Sequence, residues 1–284
     1  MNQQPIRQIE VVATRRITPH MARITFGGSD LADYTSVELD QQVKLYFPRA
    51  GQSRPVLPSP DTDFMSWYQA YSEIPEPERP WMRSYTIRAH HPDSGTIDID
   101  FVLHDHAGPA TRWAETARPG AVLSMFGPSA SFARPISLAT SIAQADWLLL
   151  AGDATALPAI ASILEGVSGD TAVEVYIEVA DEAEHQVLPG NATVHWLDRD
   201  DSTAPSGALL ADALAAATLP QGAPFVWLAG EAGAVRTLRR HLVDRGVPKS
   251  SIDFTGHWRQ SLSQDDAPTQ DDIEEANERL AAAQ

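Results

Sequence analysis

The chain reads as two domains of unlike architecture, an N-terminal six-stranded antiparallel β-barrel and a C-terminal parallel α/β domain. Three observations point that way. Up to about residue 130, short alternating or apolar runs succeed one another with Gly, Pro, Asp and Ser between them, the punctuation of strands and turns. From about Asp146, apolar strand-like runs alternate with Ala-rich or amphipathic helical stretches, as a parallel sheet covered on both faces requires. The 284 residues also suffice for two ordinary domains with real cores.

The six barrel strands are IRQIEVVATRRI, MARITFGG, QQVKLYFP, RSYTIRAH, TIDIDFVLH and AVLSMFGP. Between the third and fourth lies PRAGQSRPVLPSPDTDFMSWYQAYSEIPEPERPW, too long and Pro-rich for a hairpin turn and so an excursion, carrying aromatics that read as exposed. One helix interrupts the barrel: GPATRWAETARPG has Pro near its start and a Pro-Gly stop. In the second half DWLLLAG, TAVEVYIEVA, ATVHWL, PFVWLAG and SIDFTGHW are strands, and TALPAIASILEG, GALLADALAAA and EAGAVRTLRRHLVDRG are helices. The expected boundaries are 1–132 for the barrel, 133–145 for a linker, 146–260 for the α/β domain, and 261–284 for a polar loop and a short acidic helix.

Composition removes several function classes. A formal charge of −17 argues against a general nucleic-acid-binding surface, which neutralises phosphates with clustered Lys and Arg. Any anionic ligand must therefore meet a local basic pocket. With no cysteine, disulfides, thiolate-held clusters and thiol catalysis are excluded, so redox chemistry needs a bound organic cofactor or a cysteine-free metal site. The histidines at 90–91 and 104–106 lack helical i, i+4 spacing and a third convergent ligand, so no metal site is expected. The start, MNQQPIRQIE, lacks the features of a secretory signal, and no run approaches the roughly 20 apolar residues that span a bilayer. The expectation is a cytoplasmic protein without membrane insertion.

Four segments carry candidate chemistry. In RSYTIR, alternation puts Arg83, Tyr85 and Ile87 on one face and Ser84, Thr86 and Arg88 on the other. Arg83 suits a phosphate and Tyr85 a flat ring, although a strand with solvated arginines and a core tyrosine fits the spacing equally well. In TIDIDFVLH, Ile97, Ile99, Phe101 and Leu103 read as core, with Asp98, Asp100, Val102 and His104 opposite. Gly108, Pro109, Ala110 and Thr111 open a helix whose backbone donors and positive dipole end suit a pyrophosphate; Trp113 fits helix packing or ligand contact. AGDATALPAI leaves a strand and opens a helix, the position where an α/β sheet takes a dinucleotide, but without GxGxxG. There Thr155 is the expected N-cap and the small residues around it permit close approach, while a simple capped core helix is the other reading. Ala229, Gly230 and Glu231 form a second such corner, and the acidic EVADEAE disfavours a 2′-phosphate unless Arg199 compensates.

Taken in order, RSYTIR, DIDFVLHDHAGPATRW, AGDATALPAI and WLAGEAGAVRTLRRHLVDRGVPKSSIDFTGHWR resemble the siderophore-interacting protein family of FAD-dependent ferric-siderophore reductases, relatives of the ferredoxin-NADP reductase superfamily. The resemblance runs over nearly the whole chain and is weakest in the tail. It implies FAD on the barrel and a nicotinamide dinucleotide, NADPH or NADH, on the α/β half. It makes Arg83, Ser84, Tyr85 and Thr86 the first flavin contact, which asks both faces of one strand to meet one ring. The ligand must then lie over the strand's edge, or the strand must twist. Asp100, Phe101, Val102 and His104 are placed along the cofactor and residues 108–111 at its pyrophosphate. Asp153, Thr155, Ala156, Gly230, Glu231 and Trp258 are placed at the nicotinamide dinucleotide. In GHWR, His257 stands where the family usually has Tyr, and Gln260-Ser261 where Arg-Gly is usual.

The substrate implied is a ferric siderophore, a multiply anionic iron chelate. Of the cations Lys44, Arg54, Arg134, Lys249 and Arg259, it would meet Lys44, Arg134 and Arg259, the last two flanking a cleft between the domains. Electrons would pass from the nicotinamide to the flavin and on to two successive Fe(III) chelates, with no side chain acting as acid or base. A flavin-dependent reductase for another acceptor and a noncatalytic siderophore-binding protein are the alternatives. The chain is expected to be a monomer.

Overall fold

The computed structural model describes residues 4–104, 108–129 and 133–260. The chain forms two compact units, Met1–Ala133 and Arg134–Gln284. The acidic tail expected over 261–284 lies outside the described residues.

The first unit is an antiparallel sheet of β1 (Ile6–Thr18), β2 (Met21–Gly27), β3 (Gln42–Phe47), β4 (Trp81–Thr86), β5 (Ala89–His91), β6 (Thr96–Val102) and β7 (Val122–Phe126), in the order β4-β3-β7-β1-β2-β6-β5. Its two edge strands, β4 and β5, are separated by only Ile87 and Arg88. The Ile87 N–H donates to Gln41 O at 2.8 Å on one side of that joint, and the Arg88 N–H donates to Asp98 O at 2.8 Å on the other. One bent segment therefore serves both edges and closes the sheet on itself. The sequence shows it as a single strand, which is why six strands are expected where seven are found.

Alternation fills the barrel. Val43, Leu45 and Phe47 of β3, Ile97, Ile99 and Phe101 of β6, and Leu123 and Met125 of β7 share one buried cluster. The helix α2 (Pro109–Thr116) packs onto that cluster through Ala110 and Ala114. Its Trp113 ring lies 6.2 Å from Phe26 and 5.5 Å from Phe47. The excursion contains a helix, α1 (Phe64–Glu73), started by Asp63, whose Oδ1 accepts from Ser66 N at 3.1 Å. Contrary to the sequence reading, two of its aromatics are core: Trp67 and Tyr71 are buried against Tyr46 and Phe126 on the barrel's outer face, while Tyr68 stays exposed.

In the second unit α3 (Leu138–Ala143) occupies part of the expected linker, with Ser137 Oγ accepting from Thr140 N. There follow β8 (Trp147–Asp153), α4 (Leu157–Gly166), β9 (Ala172–Val179), β10 (Thr193–Asp198), α5 (Ala208–Ala216), β11 (Pro224–Glu231), α6 (Ala232–Asp244) and β12 (Ile252–Trp258). All five strands are parallel, in the order β10-β9-β8-β11-β12. From β8 the chain progresses outward one way through β9 and β10, then returns to β11 and progresses the other way. The carboxyl ends of β8 and β11 thus border the switch point at which such sheets take ligands.

Candidate functional site

In the first unit the site residues gather along β4. Trp81, Arg83 and Tyr85 share one face, opposite the inward residues Phe47, Leu45 and Val43 of β3. Tyr85 is half-buried, its ring 4.4 Å from Phe101 and 6.2 Å from Phe47; burial pushes its phenol well above the usual range, so it stays neutral. Ser84 and Thr86 point to the other face, where Ser84 Oγ accepts from Lys44 Nζ at 2.5 Å. Because β4 is an edge strand, a ligand across that edge can meet both sets. Thr86 is buried on that face.

The other barrel candidates divide. Asp100 faces away from the ring cluster and is bound twice by Arg23, Nε to Oδ1 at 2.7 Å and Nη2 to Oδ2 at 2.8 Å. Phe101 is a fully buried core residue, so only its backbone can face a ligand. Val102 is half-buried; His104 is exposed, its Nε2 3.4 Å from Thr111 Oγ1. Gly108 caps α2 with extended backbone and no side-chain hydrogen bond, and Pro109 begins the helix. Gly108 therefore offers no side-chain acceptor to the donors of Ala110 and Thr111 at the positive end of the helix. A side-chain carbon added at Gly108 would meet nothing within 4 Å. A glycine-started helix beside an edge strand carrying Arg83 and Tyr85 fits a phosphate-bearing cofactor with a flat ring.

In the second unit the corner is organised by one carboxylate. Asp153 Oδ1 accepts from Thr155 N at 2.9 Å and Thr155 Oγ1 at 2.6 Å, and Oδ2 accepts from Glu231 N at 2.9 Å and Trp258 Nε1 at 2.7 Å. Asp153 thus ties together the ends of β8, β11 and β12. Two glycines permit the approach: a side-chain carbon on Gly152 would sit 2.2 Å from Ala229 O, and one on Gly230, whose φ is 141°, would sit 2.6 Å from Asp153 Oδ2. His257 Nδ1 lies 3.2 Å from Thr155 O and 3.3 Å from Thr155 Oγ1, which holds the end of β12 against the start of α4. Glu231 caps α6, its Oε2 accepting from Ala234 N at 2.8 Å.

Thr155 is not the N-cap expected of it. The cap position of α4 is Ala156, without a side-chain bond, because the threonine hydroxyl is drawn back to Asp153. The α4 start consequently has no side-chain bond at its cap position. Arg199 does not stand ready for a phosphate: its Nη1 reaches the buried Glu178 at 2.6 Å and its Nη2 reaches Ala204 O at 2.5 Å, fixing the loop after β10.

Of the expected substrate cations, Lys44 sits on the barrel's outer face against Ser84, and burial lowers the pKa of its amine. Arg134 is engaged within its own unit, Nε and Nη2 lying 2.9 and 2.8 Å from Asp253 Oδ2. Arg259 is half-buried just beyond β12. What the sequence did not reveal is Asp153 as an internal clamp. Its partners Glu231 and Trp258 lie 78 and 105 residues away, and no local period announces them.

A closed antiparallel barrel followed by a parallel sheet with an open switch-point corner is the architecture of ferredoxin reductase-like flavoproteins. It is shared, at 12% identity, with a ferredoxin NADP+ reductase from Neisseria gonorrhoeae (TM-score 0.59, covering 89% of this chain and 99% of that one). Residues 10–132 match the siderophore-interacting FAD-binding domain and residues 145–261 match the siderophore-interacting protein domain. The chain belongs to the siderophore-interacting protein family. It is 30% identical over 264 residues to the ferric vibriobactin reductase ViuB of Vibrio cholerae, covering 91% of each chain. A siderophore utilization protein from T. fusca superposes with a TM-score of 0.74 at 35% identity, covering 93% of this chain and 97% of that one. No helix among the described residues is long and apolar enough to cross a membrane.

Proposed function

We propose that the protein is a cytoplasmic, monomeric ferric-siderophore reductase that uses NADPH or NADH and FAD to reduce chelated Fe(III) and so release iron. The observation that carries this reading is the similarity to ViuB over 91% of both chains, spanning the barrel and the α/β unit alike. The two helix starts without a side-chain bond at the cap support it, each beside residues of the chemistry required.

On this reading Arg83 binds the FAD pyrophosphate together with the α2 backbone donors, Tyr85 supports the ring, and Thr86 offers a hydroxyl at the strand edge. Bound FAD supplies the conversion between a two-electron donor and one-electron iron chemistry. In the second unit the α4 backbone donors receive the dinucleotide phosphates while Asp153, Thr155, Gly230, Glu231 and Trp258 shape the crevice. Lys44, Arg134 and Arg259 offset the charge of the chelate. Hard oxygen donors hold Fe(II) less tightly than Fe(III), so reduction favours release.

The test is anaerobic. The FAD-loaded protein is reduced with excess NADPH or NADH, then mixed with a ferric catecholate siderophore and a chromogenic ferrous chelator. Return of the oxidised flavin bands in step with the ferrous signal is expected. A flavin that stays reduced with every chelate offered would reject the substrate. A similar rate with quinones and free flavins would favour a general reductase.

A further inference from the structure

The net charge of −17 is spread unevenly along the chain. Residues 232–251, which make up α6 and the approach to β12, hold five of the 21 Lys and Arg and one of the 38 Asp and Glu. Residues 261–284 reverse that balance, with seven acids and one arginine. We propose that the acidic segment from Asp265 to Glu278 docks along the arginine flank of α6. No part of the cofactor reading enters this inference.

The helix defines the surface. Val235, Leu238 and Leu242 bury one side of α6 against the sheet, and Arg236, Arg239 and Arg240 follow one another along one flank of that side. The Arg239 guanidinium lies 4.4 Å from the centroid of the Phe254 ring, which places this flank beside β12, the edge strand of the sheet. Arg240 and Lys249 are exposed, and Arg236 and Arg239 are half-buried. Arg245 stands on the opposite flank, where it donates to Leu214 O and Ala217 O and holds the end of α5.

The occupant follows from reach and charge. Gln260, two residues past β12, donates its N–H to Glu231 Oε1 at 3.4 Å, so the acidic segment departs beside the first turn of α6. Arg236 and Arg240 lie about 6 and 12 Å along the helix from Ala232, whereas the five residues from Gln260 to Asp265 span up to about 17 Å. An exposed ion pair is weak by itself, but so short a tether holds the acids at an effective concentration on the order of millimolar, and several pairs form together. An acidic macromolecule from solution meets the same flank without that advantage and against the net charge of the whole chain.

The experiment uses the full chain, as wild type and as the quadruple variant Asp271→Asn, Asp272→Asn, Glu274→Gln and Glu275→Gln, whose changes all lie outside the described residues. An arginine-selective dicarbonyl reagent labels exposed guanidinium groups, and peptide mass spectrometry reads the rate at Arg240 against that at Arg54, which is exposed in the first unit. Relative to Arg54, Arg240 should label at least about threefold faster in the variant, and also in the wild type at about 1 M salt, where the screening length falls to about 3 Å. Lys44 and Lys249 are the only lysines, so carbodiimide coupling of the wild type identifies the occupant. A bond from Lys249 to a carboxylate of residues 265–278 within one chain is expected, and it should be lost at high salt. Equal labelling of Arg240 under all conditions overturns the proposal. So does a Lys249 bond to those carboxylates found only between isotopically labelled and unlabelled copies, which would make a second chain the occupant. The salt and coupling arms use the wild type alone and decide the matter even if the variant does not fold by circular dichroism.

Discussion

The two corners meet the same demand, an anionic nucleotide beside an acidic chain, by different means. On β4 and α2, cations stand at or near the candidate site: Arg83 on the strand face, and Arg49 and Arg112 around a neighbouring pocket. At the switch point the nearest conspicuous side chains are acids, Asp153 and Glu231, and both spend oxygens on the protein's own N–H groups. There Arg199 is committed to Glu178 and carbonyls. A site with fixed cations suits a cofactor that stays. One built on backbone and an internally satisfied carboxylate suits a ligand that must come and go each turnover.

The largest expected effect tests the second half of that contrast. Asp153→Ala removes the acceptor of four donors from three segments of chain. It should destabilise the α/β unit by about 2–4 kcal/mol, because those donors lose a charged partner that water replaces only in part. Chemical denaturation measures it, with flavin content of the folded fraction as control. That content should be unchanged and the KM for the nicotinamide raised. Loss of flavin instead would merge the two corners into one functional unit. Next in size, Arg83→Ala should weaken FAD roughly tenfold to a hundredfold by flavin titration, as for a lost charge-assisted bond, with the KM for nicotinamide untouched in protein saturated with FAD.

The same contrast explains what could be read in advance. RSYTIR, GPATRW and AGDATALPAI are local patterns, and alternation or a strand-to-helix change is enough to find them. The barrel core, with Val43, Leu45 and Phe47 inward, follows from period two alone. What failed was whatever depends on a distant partner. Thr155 looks like a cap until Asp153 is known to hold its hydroxyl. Trp67 and Tyr71 look exposed until the excursion is seen folding onto Tyr46 and Phe126. The pairing of Asp100 with Arg23 of the neighbouring strand β2 is likewise announced by no local pattern. The bend at residues 87–88 is held by backbone bonds from Ile87 and Arg88 N–H that any residue but proline could make, so it has no sequence signature.

A smaller effect sharpens the picture of the clamp. Trp258→Phe removes one donor to Asp153 while leaving three, and should cost about 1.5 kcal/mol, the low end of the net value of a hydrogen bond to a charged group. The KM for the nicotinamide should rise a few-fold with kcat little changed, read by steady-state kinetics with a small-molecule acceptor. A fall in kcat with constant KM would place the indole in the chemistry, not in the shaping of the crevice.

The smallest effect concerns Lys44, whose amine is depressed by burial beside Ser84. Between its lowered folded value and the ordinary unfolded value of 10.5, the unfolded chain binds more protons, so this group makes stability rise with pH in that window. Below the folded value the charged amine is a constant burden on the folded barrel. Lys44→Met should therefore equal or exceed the wild type in stability at neutral pH, and the difference should shrink as pH climbs toward 10.5. Paired denaturation curves across that range measure it, the shared titration of other groups cancelling between the two proteins. If Lys44→Met also raises the KM for a ferric catecholate without changing that for a neutral acceptor, the burden of a half-buried cation has its counterpart in substrate binding. If the ferric chelate is unaffected, Lys44 belongs to the barrel wall alone, and the cations around β4 serve the cofactor only.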